Sequence, residues 1–200
     1  MIEQITGTIL HKSPTFCVLE NNGIGFGIHI TLNAFELLDS TSAGEPVVLH
    51  TYLHVREDAL QLYGFASAEE KHFFKLLLGI SGVGPRLAQA ILSGMAPDRL
   101  REAIQLEDVA SITRIPGVGK KTAQRIVLEL KEKLKSEEKI EHIQEKIAPG
   151  SANRQAMEAV LALVALGYKE NEAEKAVRIV LSRKNDVSLE ELIKEALKEV

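Results

Sequence analysis

Two short stretches of this sequence have the residue types needed to hold an anion on backbone amides. ISGVGPRLAQAIL (80–92) and IPGVGKKTAQRIV (115–127) share seven identities in 13 positions, 35 residues apart, and so repeat one unit. In each copy an apolar residue ends one helix, Gly-Val-Gly turns the chain, and a second helix begins. Gly82 and Gly84 in the first copy, and Gly117 and Gly119 in the second, permit positive φ and leave no Cβ in the way of an approaching backbone. Val83 and Val118 plug each turn into the apolar space between the helices. The amides of the turn and of the next helix then point outward with the helix dipole behind them, a site for phosphate. Arg86, Lys120, Lys121 and Arg125 stand where they add charge to it. Contacts of this kind position a protein on DNA without reading its bases. A lone Gly-x-Gly turn is more often an ordinary helix cap; repetition, with basic residues following each copy, reverses that preference in favour of the DNA backbone.

Other chemistries fit the residues less well. The hairpin LPGVG-x-K-T-A of base-excision glycosylases with lyase activity is similar, and Lys121 falls at their nucleophilic lysine. Such a mechanism needs an assisting carboxylate, yet no Asp occurs between Asp108 and Asp186. Gly119-Lys120-Lys121-Thr122 falls short of a phosphate-binding P-loop, because position 114 is Arg and position 121 is Lys. Nine aromatic residues are few for a base-stacking groove of a general single-strand binder. Cys17 is the only cysteine, which excludes an internal disulfide and a cysteine-ligated metal or cluster, and indicates a reducing setting. Neither a metal nor another cofactor is expected. Met1 to Leu10 lacks the pattern of a signal peptide, and no run is long enough to span a bilayer; the expected location is the cytoplasm, away from membranes.

The elements that position the hairpins follow from periodicity. Residues 1–63 hold short β-branched or alternating runs at 5–10, 16–20, 25–31, 47–54 and 59–63, separated by turn signals such as Asn21-Asn22-Gly23 and Gly44-Glu45-Pro46. That spacing suggests a small oligonucleotide-binding (OB) type barrel, with a brief helix at 33–38. From Ala68 the period becomes helical, and residues 64–135 form an all-α domain carrying both hairpins. Residues 136–153, KSEEKIEHIQEKIAPGSAN from position 135, are charged and poor in large apolar residues, as in a mobile linker whose first half extends the preceding helix. Residues 154–200 return to helical spacing, with breaks at Gly167 and Asn185-Asp186, which fits a three-helix bundle. The fold class is thus multidomain, α and β. Formal charge is uneven: Lys and Arg against Asp and Glu number 2 and 7 in residues 1–63, 12 and 8 in 64–135, and 10 and 13 in 136–200. Only the hairpin region is basic, and local charge is what attracts phosphate at physiological salt.

Four stretches in order, VREDALQLYGF (55–65), ISGVGPRLAQAILSGM (80–95), IPGVGKKTAQRIVLEL (115–130) and LVALGYKENEA (163–173), resemble the bacterial RuvA family over nearly the whole chain. Arg86 stands where that family often has Lys. The resemblance implies a non-catalytic DNA-recognition subunit that holds Holliday junctions open for branch migration, in recombination and the repair of DNA damage. It implies a homotetramer, with one or two tetramers on a four-way junction. The implied partners are the hexameric ATPase RuvB, which carries the motor activity, and the junction endonuclease RuvC.

It also assigns residues. Glu57 and Asp58 match an acidic pin at the centre of the tetramer, close to the crossover, where their charge repels phosphates and helps to part the strands. Acidic residues in such a turn are ordinarily just solvated, and one pair of unit charges about 5 Å apart near water interacts by only roughly 1 kcal/mol. Four copies would act together. His29 and Arg56 match positions near the DNA surface, although His29 is equally an ordinary strand residue. Leu163, Leu166, Tyr168 and Leu197 match positions that dock RuvB on a bundle of the ubiquitin-associated type. By spacing alone Leu163, Leu166 and Tyr168 also suit a core.

Overall fold

The computed structural model describes residues 2–57, 59–145, 152–183 and 187–199; for 136–145 and 152–154 the backbone alone is described. Asp58, linker residues 146–151 and the break at Asn185-Asp186 lie outside the described residues. Five strands, β1 (Gln4–Ser13), β2 (Phe16–Asn21), β3 (Ile24–Ile30), β4 (Val47–Val55) and β5 (Leu60–Phe65), close into a barrel in the order β1-β2-β3-β5-β4. Helix α1 (Leu32–Ser40) follows β3. Asn22 and Gly23 both take positive φ, 51° and 83°, and make the tight turn from β2 to β3 whose twist suits a hairpin. The strands are longer than their apolar runs. β1 continues to Ser13 across a register shift between Ile9 and His11, a bulge that leaves Leu10 63% exposed. The contact between β3 and β5 is parallel, and pairs His29 with Tyr63.

Eight-residue and longer helices make up most of the remainder: α2 (Ala68–Leu78), α3 (Pro85–Gly94), α4 (Pro97–Gln105), the short α5 (Val109–Thr113) and the long α6 (Lys120–Glu145). Helical spacing alone would begin α5 at Glu107. Instead Glu107 takes φ 55°, and Asp108 becomes the cap, its carboxylate accepting from the Ser111 amide at 3.0 Å. The Ser111 hydroxyl and amide together hold the Asp108 carboxyl below its ordinary pKa. Residues 136–145 continue α6 as helix.

Barrel and hairpin helices share their interior. One core fills the barrel, with Leu19, Ile28, Ile30, Leu38 and Leu49 fully buried. The other begins on β5: Tyr63 and Phe65 pack on Phe74, at ring-centroid distances of 5.2 and 4.8 Å, and the cluster runs on through Leu77, Ile91 and Leu130. Polar ties reinforce the joint. Buried Glu70 accepts from Asn33 Nδ2 and the Ala66 amide, each at 2.9 Å, and buried Lys71 pairs with Glu3, holding the Glu3 carboxyl below its ordinary pKa. Residues 1–135 are therefore one compact unit, and residues 136–200 make a second. In the second, α7 (Ala152–Ala165), α8 (Glu170–Arg183) and α9 (Leu189–Ala196) pack around Ala159, Leu163, Ala173, Val177 and Leu192.

Candidate nucleic-acid interface

The two Gly-Val-Gly turns have the same backbone, bond for bond. Gly82 and Gly117 take φ +88° and +87°. The Val83 amide donates to Ile80 O and the Val118 amide to Ile115 O, both at 3.0 Å. Ala88 N donates to Gly84 O and Ala123 N to Gly119 O, both at 2.9 Å, as the first bonds of α3 and α6. Each valine is 5% exposed, which anchors the turn in the core by about 1.5–3 kcal/mol of apolar burial. Val83 and Val118 thus hold the turns and do not themselves face a ligand.

Gly84 and Gly119 differ from their partners in what they require. Neither takes a positive φ, and a Cβ built on either meets nothing within 4 Å. The fold itself therefore has no need of glycine there; open space at the start of a helix suits close approach by something outside the chain. The amides ahead of the first helical bond have no carbonyl partner in the helix. At α6 these include Lys120, Lys121 and Thr122. At α3 Pro85 has no N–H to give, leaving Arg86 and Leu87. The second hairpin thus offers one more amide and one more adjacent cation than the first. Arg86, Lys120 and Lys121 are exposed, and among the described residues no carboxylate pairs with any of them.

The hairpins are fixed to one another and to the barrel. Arg125 donates to the Ser81 carbonyl at 3.0 Å, so it braces the second hairpin's helix against the first hairpin's turn. Leu87 lies against Gly117, its Cδ1 3.3 Å from where a Cβ would stand. On the barrel side, Gln89 Nε2 donates to Ile30 O at 2.5 Å, the Leu32 amide to Ser93 Oγ at 3.2 Å, and Asn33 Nδ2 to Leu92 O at 3.3 Å. These three bonds register α3 against the end of β3.

That register brings distant residues to one surface. His29, flanked by Phe16 and Tyr63 at ring-centroid distances of 5.6 and 5.4 Å, borders a cleft of about 500 Å³ with Arg86 and Pro116. A recess of about 550 Å³ joins Arg56 and Gln61 on the barrel rim to Gly84 and Arg86. Tyr63 lines both. Burial raises its phenol above the ordinary value, opposed by the charges of Arg86 and Arg56. Glu57 is exposed in the β4–β5 turn, which the Arg56 amide closes by donating to Ala59 O at 2.9 Å. His54, Gln61 and Gln89 were not evident from the sequence, since each is an unremarkable polar residue in its own element; only strand register and the α3 docking bring them here.

In the second unit, Gly167 takes φ +102°, and the Tyr168 amide donates to Leu163 O at 3.2 Å, ending α7 in a tight turn. Leu166 is 62%, Leu197 37% and Tyr168 36% exposed, so all three are open to a partner. Leu163 is fully buried, because its place one turn before the cap faces α8 and α9. It can shape a docking surface from beneath but not touch a partner.

Comparison with known proteins covers the same three regions. Residues 1–64 match the family described as RuvA N terminal domain, 74–132 the SAM-like helix-hairpin-helix tandem, and 155–200 the RuvA C-terminal domain. The protein named Holliday junction branch migration complex subunit RuvA in Pseudomonas paraeruginosa is 42% identical over 202 residues, covering 99% of this chain and 98% of its own length. The chain belongs to the RuvA family. RuvA of Geotalea daltonii, also 42% identical, covers 100% of this chain and 99% of itself; that of Stutzerimonas stutzeri is 42% identical with coverage of 99% and 98%. Family membership agrees with the closed OB-like barrel followed by tandem hairpins. Among the described residues no group of His, Cys, Asp and Glu could hold a metal ion, and no helix is long and apolar enough to cross a membrane.

Proposed function

We propose that this chain is the non-catalytic DNA-recognition subunit of a branch-migration complex, binding Holliday junctions through their sugar-phosphate backbones. The observation that carries this reading is the pair of identical glycine turns, each with open space and unpartnered amides at a helix start, locked at fixed spacing on a barrel whose rim supplies Arg56 and His29. Backbone grips of this kind are indifferent to sequence, so selectivity must come from the path of the strands. Four copies around a crossover would set their acidic β4–β5 turns, Glu57 with Asp58, at the centre, and their hairpins on the duplex arms. Likeness to proteins named as subunits of a Holliday junction branch migration complex supports this assignment.

Residues 154–200 would serve as the docking unit for the RuvB ATPase, through exposed Leu166, Tyr168 and Leu197. The helical and linker segment between would tether it while the motor turns, and RuvC would act on the same junction. In this reading the protein works in the cytoplasm and carries neither cofactor nor metal. Titrating a four-way junction of mixed sequence, with light scattering to count protomers, tests the proposal. Four or eight protomers per junction, with unchanged affinity when the arm sequences are scrambled, is the expected result. A single protomer per duplex end would refute it.

A further inference from the structure

The recess between the barrel rim and the first hairpin contains two polar side chains that the hairpin chemistry does not use. His54 on β4 and Gln61 on β5 are directly paired across the antiparallel ladder, so their side chains share a face. Tyr63, two residues along β5, lies on that face too, and its hydroxyl donates to Gln61 Oε1 at 3.0 Å. With Oε1 occupied in this way, the group that Gln61 offers to the recess is its Nε2–H₂ donor. His54 stacks beside Tyr52, ring centroids 6.4 Å apart, which orients the imidazole. Arg56 and Arg86 line the same space from the rim and from the hairpin helix, and among the described residues no carboxylate lines it. Two guanidinium groups, a carboxamide donor and an imidazole around about 550 Å³ make a site for an anion larger than a bare phosphate. A phosphodiester with its flanking sugars meets that description.

Position indicates which phosphodiester. The recess lies between the amides of the first hairpin, which suit a duplex arm, and the β4–β5 turn that carries Glu57. We propose that it holds the backbone of the strand that leaves the arm at the crossover, with Gln61 and His54 donating to it between Arg56 and Arg86. This rests on the junction-binding reading and adds to it a second strand site, separate from the hairpin amides, that favours a departing strand over a continuous duplex.

Gln61→Glu is the most discriminating variant, because it keeps the acceptor for Tyr63 while replacing the donor with a negative charge. In the full-length protein it is expected to weaken binding to a four-way junction at least roughly tenfold, as for losing a hydrogen bond to a charged group. Affinity for a plain duplex of equal length should stay within about twofold. The second measurement needs no variant: neutral methylphosphonates at the crossover phosphates should weaken wild-type binding, and should cost Gln61→Glu far less. Wild-type junction affinity in Gln61→Glu, equal losses on junction and duplex, or equal methylphosphonate penalties in both proteins would each overturn the recess site while leaving junction binding intact. A wild-type protein with no preference for the junction would overturn the parent reading and this one with it.

Discussion

Alanine substitution at the four hairpin glycines separates what the fold requires from what a ligand requires. Gly82 and Gly117 sit at φ +88° and +87°, where a side chain costs about 1–2 kcal/mol, and at Gly117 the added carbon also meets Leu87 at 3.3 Å. Gly82→Ala and Gly117→Ala should therefore lower Tm by roughly 3–8 °C for a unit of this size. Gly84 has φ −89° and ψ 174°, an extended conformation open to any residue, and its Cβ would point into empty space. Alanine is a poorer helix N-cap than glycine, but it also reduces the entropy of the unfolded chain by about 0.4–1 kcal/mol, so the two effects nearly cancel. Gly84→Ala and Gly119→Ala should melt within about 2 °C of wild type. On DNA the order reverses: a methyl group between a phosphate and the amides beneath it forfeits a charge-assisted hydrogen bond, roughly ten- to a hundredfold in affinity. Differential scanning calorimetry and fluorescence anisotropy on one four-way junction read both quantities. Stable Gly84→Ala and Gly119→Ala proteins that bind as tightly as wild type would show that these glycines do not mark a close approach, and the hairpin assignment would fail.

Four further outcomes are expected. Lys120→Ala should weaken binding to all sequences alike and reduce the slope of log affinity against log salt by about 0.9 if it neutralises one phosphate; an unchanged slope removes that contact. Glu57→Gln combined with Asp58→Asn should leave junction affinity intact or raised while changing the branch-migration rate, and a loss of folding instead would make the turn merely structural. Leu166→Asp should abolish stimulation of the ATPase partner without changing Tm, whereas Leu163→Ala should destabilise the bundle by about 2–5 kcal/mol; calorimetry of the two side by side would expose a reversed order. Burial pushes the Cys17 thiol up to about 12, so at pH 8 it is almost wholly protonated as well as fully enclosed. It should resist a disulfide reagent until the barrel opens, and rapid labelling of the native protein would contradict the closed barrel.

Much of the interface was legible because glycine repeats are local: the chain itself sets out Gly-Val-Gly, the following cations and the apolar plug. The strands were also visible, though β1 was cut short, because Ser13 belongs to its strand by hydrogen bonding and not by hydropathy. Less visible was the fusion of barrel and helices into one unit. Tyr63 reads as the last residue of a strand and Phe65 falls beyond it, and nothing in their spacing says that Phe74 completes the packing of both. Arg125 shows the same limit. Its charge suggested a phosphate contact, but its reach to Ser81 O gives it a bracing role that only the folded chain makes visible. Leu163 and Leu166 looked alike as leucines on one helical stretch, and the turn at Gly167 puts one inside the bundle and the other out.

Selection by strand path is tested most directly by competition at fixed salt between a four-way junction and a plain duplex of equal length and composition. The geometry predicts that the junction is retained when duplex is in large molar excess, because only a crossover can engage hairpins, rim and acidic turn together. Equal affinity for the two DNAs would contradict it, leaving the hairpins as general grips on duplex backbone.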